Sequence, residues 1–147
     1  MLTIYLDTCS LQRPLDDQRQ IRVRLETEAI LAVLEQVENG KLALLDSEIL
    51  RYEIYRTPNL QRQQHITEIL TLSHIIIKLN PAIEQLSYRL QNLGIKPLDA
   101  LHLATAEQAK ADYFCTCDDK LLKRAQKLDI LETHVLSPLQ LLEALKL

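Results

Sequence analysis

Three aspartates sit where a chain can gather charge for phosphate or metal chemistry. Asp7 closes the apolar run Leu2-Thr3-Ile4-Tyr5-Leu6, Asp99 follows Pro97 at the head of a segment rich in Ala and Leu, and Asp118 follows the apolar run from Tyr113 to Cys117. A β-rich pentapeptide leading into Asp-Thr-Cys-Ser reads as a central parallel strand that delivers a carboxylate to its C-terminal edge, where open α/β sheets place their ligands. Carboxylates gathered in one cleft repel one another by roughly 3 kcal/mol per pair at about 5 Å and an effective dielectric of about 20. A cation relieves that repulsion, and oxygen-only ligands select hard ions such as Mg²⁺ or Mn²⁺. Taken singly, Asp99 and Asp118 fit helix N-caps better than ligands, because a carboxylate accepts from the free N–H groups at the positive end of a helix. Asp7, with a polar loop expected after it, does not fit that role.

The elements that must position these acids alternate between the two structural periods. After the first strand and a polar loop containing Arg13-Pro14 and Asp16-Asp17, Ile21, Leu25, Ile30, Val33, Leu34 and Val37 recur at helical spacing from about Gln18 to Asn39, and Gly40 stops that helix. Lys41 to Leu45 reads as a second strand, and Ser47 as the N-cap of a helix to about Arg56 closed by Thr57-Pro58. A helix from Arg62 to Leu72 precedes a β-branched third strand at Ile75-Ile76-Ile77. Pro81 opens and Gly94 closes another helix, Asp99 to Ala109 is helical, and Tyr113 to Cys117 is a fourth strand. Asp118 caps a helix to about Lys127, His134 to Leu136 is a fifth strand, and Ser137-Pro138-Leu139-Gln140 is a capping box. Strands alternating with helices imply right-handed crossovers, hence a three-layer α/β/α sandwich around a mostly parallel sheet of four to five strands.

At 147 residues the chain reads as a single domain, residues 1–147, burying roughly 70% of its unfolded surface. No apolar run approaches the ~20 residues of a membrane span, and Asp7 interrupts a first apolar stretch already too short for a secretion signal. The expectation is a cytoplasmic protein with no membrane partner. Cys9, Cys115 and Cys117 are an odd number without a secretory context, so they read as reduced thiols. Cys115-Thr116-Cys117 is too closely spaced for a zinc pair and lacks two further ligands nearby. A net charge of −3 provides no global basic field, so a polyanion would have to be held locally.

A fourth acid is available after the second strand, where Glu48 and Glu53 compete. Five residues on a helix turn through about 500°, so the two side chains point roughly 140° apart and cannot both face one cleft. Spacing alone does not choose between them. Seven of the nine arginines fall between Arg13 and Arg62; they suit phosphate contacts and, equally, pairing with Glu26, Glu28 and Asp16. Lys120, Lys123, Arg124 and Lys127 form one stripe opposite Leu121, Leu122, Ala125 and Leu128, which an amphipathic surface helix explains better than an RNA track. His102, one turn beyond Asp99, reads first as a hydrogen-bonded core histidine and second as a support for the acids. The tyrosines and Phe114 show no paired spacing for base stacking.

Four segments together resemble PIN domains: Tyr5-Leu6-Asp7-Thr8-Cys9-Ser10, Ser47 to Ile54, Leu98-Asp99-Ala100-Leu101-His102-Leu103-Ala104-Thr105-Ala106, and Thr116-Cys117-Asp118-Asp119. Their order, intervals and total length are similar to those of VapC-type ribonuclease toxins. The resemblance implies a sheet ordered 3-2-1-4-5 and a Mg²⁺-dependent (or Mn²⁺-dependent) endoribonuclease acting on RNA. It also implies a homodimer neutralised by a small antitoxin. Carried over by position, it implies Asp7, Asp99 and Asp118 as three metal-binding acids, and Glu53, six residues after Ser47, as the fourth. Asp119 would be an extra neighbour. Thr8-Cys9 departs from the Asn or Ser-Ser that many relatives carry after the first Asp.

Other readings fit less well. A haloacid-dehalogenase-like phosphatase wants a second Asp two residues after the first, where this chain has Cys9, and a receiver domain wants an acceptor Asp after the third strand, where it has Ile77-Lys78-Leu79. A catalytically degenerate PIN module that only binds or scaffolds partners is the non-enzyme alternative.

Overall fold

The computed structural model describes residues 1–147. The chain runs β1 (Leu2–Leu6), α1 (Thr8–Gln12), α2 (Ile21–Glu38), β2 (Leu42–Leu44), β3 (Asp46–Ser47), α3 (Glu48–Arg56), α4 (Leu60–Leu70), β4 (Ile76–Ile77), α5 (Pro81–Asn92), α6 (Pro97–Gln108), β5 (Tyr113–Cys115), α7 (Asp119–Gln126), β6 (His134–Leu136) and α8 (Pro138–Leu145), with a 3-10 turn at Arg13–Leu15. A four-stranded sheet has the order β2-β1-β5-β6, with every pairing parallel. Successive strand residues point to opposite faces, and Ile4, Tyr5 and Leu6 of β1 are all 0% exposed. The central strand is therefore covered on both sides. Around it, α2 packs with α8 and α5 with α6.

Local chemistry sets the boundaries. Ser47, Asn59, Asn80 and Ser137 accept backbone N–H bonds at the starts of α3, α4, α5 and α8, and Ser137 forms a capping box with Gln140. Pro81, Pro97 and Pro138 occupy first turns, where a missing N–H costs nothing. Gly40 and Gly94 adopt φ of +73° and +99° after α2 and α5, a region closed to most L side chains.

The expected 3-2-1-4-5 order is kept, but its outer edge is divided. Leu45 still donates to the Ile4 carbonyl at 2.9 Å; beyond it the chain leaves β1, and Asp46 and Ser47 pair instead with Ile76 and Ile77. The second expected strand thus becomes β2 and β3, and the third shrinks to the two-residue β4.

Two further expectations change. Residues 8–15 are helical rather than a polar loop, because Asp7 caps α1 and Leu11 is fully buried. In α2, Ile21 and Leu25 are exposed while Val23, Ala29, Ile30, Val33, Leu34 and Val37 face the core. Glu26 shares that buried face because Arg13 and Arg22 meet its charge at 3.2 and 3.4 Å.

Phe114 of β5 is wholly buried and stacks on Tyr5 with ring centroids 5.3 Å apart and planes 9° from parallel. Phe114→Ala is expected to cost about 3–5 kcal/mol, read from urea denaturation. A loss below ~1 kcal/mol would mean the core collapses around the vacancy.

Candidate active site

Parallel strands bring their C-terminal ends to one edge, and the acids collect there. The backbone N–H of Asp7, one residue past β1, donates to the Cys115 carbonyl at 3.2 Å, so the ladder between β1 and β5 fixes its position. Its carboxylate caps α1 through Ser10 N–H at 3.0 Å and accepts the Cys9 thiol at 3.1 and 3.2 Å. Only 6% of Asp7 is exposed. Burial pushes its carboxyl pKa above the ordinary range, against the opposing bonds from Thr116, Cys9 and Ser10. The Cys9 thiol is itself held protonated by its contact with Cys117, by burial and by the charge of Asp7, which keeps it a donor.

Asp118 stands three residues past β5 and caps α7, accepting from Lys120 and Leu121 N–H at 2.9 and 3.2 Å. Asp99 is the third residue of α6, whose N-cap is Lys96. The capping role expected for Asp118 is therefore real, whereas the one expected for Asp99 is not. Burial raises the Asp99 pKa, the charges of Asp7 and Asp118 raise it further, and no hydrogen bond offsets them.

Glu53 reaches the same place from α3. Its Oε1 accepts the Thr8 hydroxyl at 2.7 Å and pairs with His102 Nε2. Burial raises the Glu53 pKa, but the bond and charge from His102 and the Thr8 bond outweigh it, leaving the carboxyl below its ordinary range. His102 is 2% exposed; its Nδ1 lies 2.6 Å from the Tyr5 hydroxyl, which lies 2.8 Å from the Ser47 hydroxyl that caps α3. A buried chain thus connects the start of α3, the middle of β1 and the helix of Asp99 to one carboxylate. Both readings of His102 hold, as it is a bonded core residue and it orients Glu53.

Asp7, Glu53, Asp99 and Asp118 line one recess of about 320 Å³, together with Thr8, Cys9, Arg13, His102 and Cys117. Glu48 is elsewhere, accepting from Leu79 N–H at 3.0 Å on the exposed side of α3. Asp119 is also turned away, held by Nη1 and Nη2 of Arg22, each at 2.8 Å. Cys115 and Cys117 are free thiols, buried beside the Ser10 hydroxyl.

Sequence reasoning missed Thr8 and Tyr5 as the partners of Glu53 and His102, and Arg13 as a wall of the recess. It also missed Asp46, which is buried and holds Arg51 Nε at 2.9 Å where β3 turns into α3. Only for Arg13 was a signal available: Glu26 lies on the apolar face of α2, and a buried carboxylate calls for a cation.

No three side chains of His, Cys, Asp or Glu stand close enough together to ligate one ion as they are. The donor set nonetheless fits a hard cation. It is oxygen-only, and its like charges already strain Asp99. An ion bound there would draw the carboxylates inward from the recess walls. No helix is long and apolar enough to cross a membrane.

No curated protein sequence matches the chain significantly. Solved structures do share its fold. A chain of VapBC2 from Rickettsia felis, bound to a DNA fragment from their promoter, superposes with a TM-score of 0.61 at 18% identity over 92% of this chain and 98% of that one. A chain of VapBC-1 from nontypeable Haemophilus influenzae gives 0.58 at 16% identity over 94% and 99%. Residues 4–128, which carry all four acids, match the PIN domain family, and the chain belongs to it.

Proposed function

We propose that this protein is a Mg²⁺- or Mn²⁺-dependent endoribonuclease, the toxin of a toxin–antitoxin pair. The observation that carries the reading is the recess itself, where Asp7, Glu53, Asp99 and Asp118 converge from four separate elements. Asp7 and Asp99 would hold the divalent ions, and Glu53 and Asp118 would complete the set or orient the attacking water. A bound divalent ion supplies Lewis acidity and offsets the charge of the scissile phosphate. The chain's own contribution is placement. Cys9 and Ser10 fix the Asp7 carboxylate, and His102 and Thr8 bind Glu53 Oε1, leaving Oε2 free of those two bonds. A small cognate antitoxin, a homodimer and a cytoplasmic setting belong to the same reading. They rest on the family resemblance, and the VapBC structures that share the fold favour the antitoxin.

Asp7→Asn and Asp99→Asn are each expected to lower cleavage of a fluorescent single-stranded RNA by at least about a hundredfold, since even outer partners of a metal ligand are worth 10- to 100-fold. Wild-type activity should vanish in chelator and return with Mg²⁺ or Mn²⁺. Calorimetric titration with Mn²⁺ tests the ion independently: a degenerate module that only binds protein partners would take up neither ion, and full activity in Asp7→Asn would remove that residue from the chemistry.

The raised pKa of Asp99 has an opposite signature in stability. A carboxyl whose folded pKa exceeds its unfolded value opposes folding once ionised. The penalty is complete above the folded pKa and vanishes below the unfolded one. In chelator at neutral pH, Asp99→Asn is therefore expected to melt above the wild type in differential scanning calorimetry, with the gain disappearing as pH falls through the carboxylate range. An unchanged or lower Tm would show that the acids are not crowded.

A further inference from the structure

Positive charge around the recess is unevenly committed. Among the arginines between 13 and 62, Arg13, Arg19, Arg22, Arg51 and Arg62 are each held in an ion pair with a carboxylate. Arg24 is turned to the carbonyls of Gln18 and Arg19, and Arg56 lies over the Tyr52 ring at 4.9 Å. The region that looked richest in phosphate contacts has therefore largely spent its cations on the fold.

Lysine charge without a carboxylate partner lies beside two of the acids. Lys96, Lys120 and Arg124 line a second recess of about 100 Å³, and Asp99 and Asp118 form part of its wall as well as of the first. The two lysines come from the same elements as those acids. Lys96 directly precedes α6, which carries Asp99, and Lys120 is in the first turn of α7, which Asp118 caps. None of the three cations has a carboxylate within ion-pairing distance. Arg124 is anchored, its Nη1 donating to the Gly94 carbonyl at 2.7 Å. The stripe on α7 is thus divided, with Lys120 and Arg124 on the recess and Lys123 and Lys127 outside it.

We propose that this second recess is a backbone subsite, in which Lys96 and Lys120 hold a phosphodiester of single-stranded RNA next to the one at the acids. The inference rests on the nuclease reading and deepens it. Four carboxylates repel a polyanion, and bound ions are consumed in neutralising them. A substrate strand needs opposite charge immediately beyond the acids, and this recess supplies it at the starts of the two helices that Asp99 and Asp118 belong to or cap. Lysine contacts of this kind fix where a strand lies without reading its bases.

The test is fluorescence anisotropy of a short fluorescein-labelled single-stranded RNA, with Ca²⁺ in place of Mg²⁺, across a salt series. Lys96→Ala/Lys120→Ala is expected to weaken binding about tenfold and to flatten the slope of log affinity against log salt by about 0.7 per lysine. In Mg²⁺ its loss should fall on KM rather than kcat, and its Mn²⁺ affinity by calorimetry should match the wild type. Lys123→Ala/Lys127→Ala removes the same charge from the same helix and should bind RNA as the wild type does. Unchanged affinity and slope in the first double variant, equal losses in both, or a parallel loss of Mn²⁺ affinity would overturn the subsite while leaving the nuclease reading in place. Wild-type protein that neither binds nor cuts the oligonucleotide would overturn that reading, and the subsite with it.

Discussion

Negative charge held together against its own repulsion is the constraint around which this molecule is organised. Burial and neighbouring carboxylates both push Asp99 toward its neutral form, and burial does the same to Asp7. Such an arrangement persists only where the surroundings are rigid enough to overrule it. The rigidity comes from the sheet ladder beneath Asp7, the helix start that Asp118 caps, and the hydrogen bonds that fix Glu53.

The four acids are not treated alike. Asp7 and Asp118 double as helix caps, so each is satisfied by backbone N–H groups whether or not an ion is present. Glu53 is held by side chains, and Asp99 is left with like charge around it. Capping does not by itself exclude ion binding, because a carboxylate has enough lone pairs for both. The cap expected for Asp118 is present, whereas for Asp7 it was overlooked because a five-residue helix leaves almost no periodic signal.

What was legible followed from periodicity and punctuation. The alternation of apolar runs with helical stretches gave the parallel sheet, and Ser47, Pro81, Pro97 and Ser137 marked helix starts that the structure keeps. The division at Leu45 was not legible, since Leu42 to Leu45 is one apolar run and pairing partners are decided by tertiary packing. Spacing left Glu48 and Glu53 open; geometry separates them, with Glu53 facing the recess and Glu48 facing Leu79. The ties among Glu53, Thr8, His102 and Tyr5 span from 45 to 97 residues of sequence, a separation over which no local pattern can report contact.

The division at the sheet edge also has a mechanical meaning. Asp7 and Asp118 ride on the four-stranded sheet, whereas α3, with Glu53, is launched from the separate two-stranded ladder of β3 and β4. Beyond Leu45 the two walls are joined by side chains, Tyr5 to Ser47 at 2.8 Å and Thr8 to Glu53 at 2.7 Å, and not by the strand ladder. The span between Glu53 and the main sheet is thus kept by individual side-chain bonds, each of which a single substitution can remove.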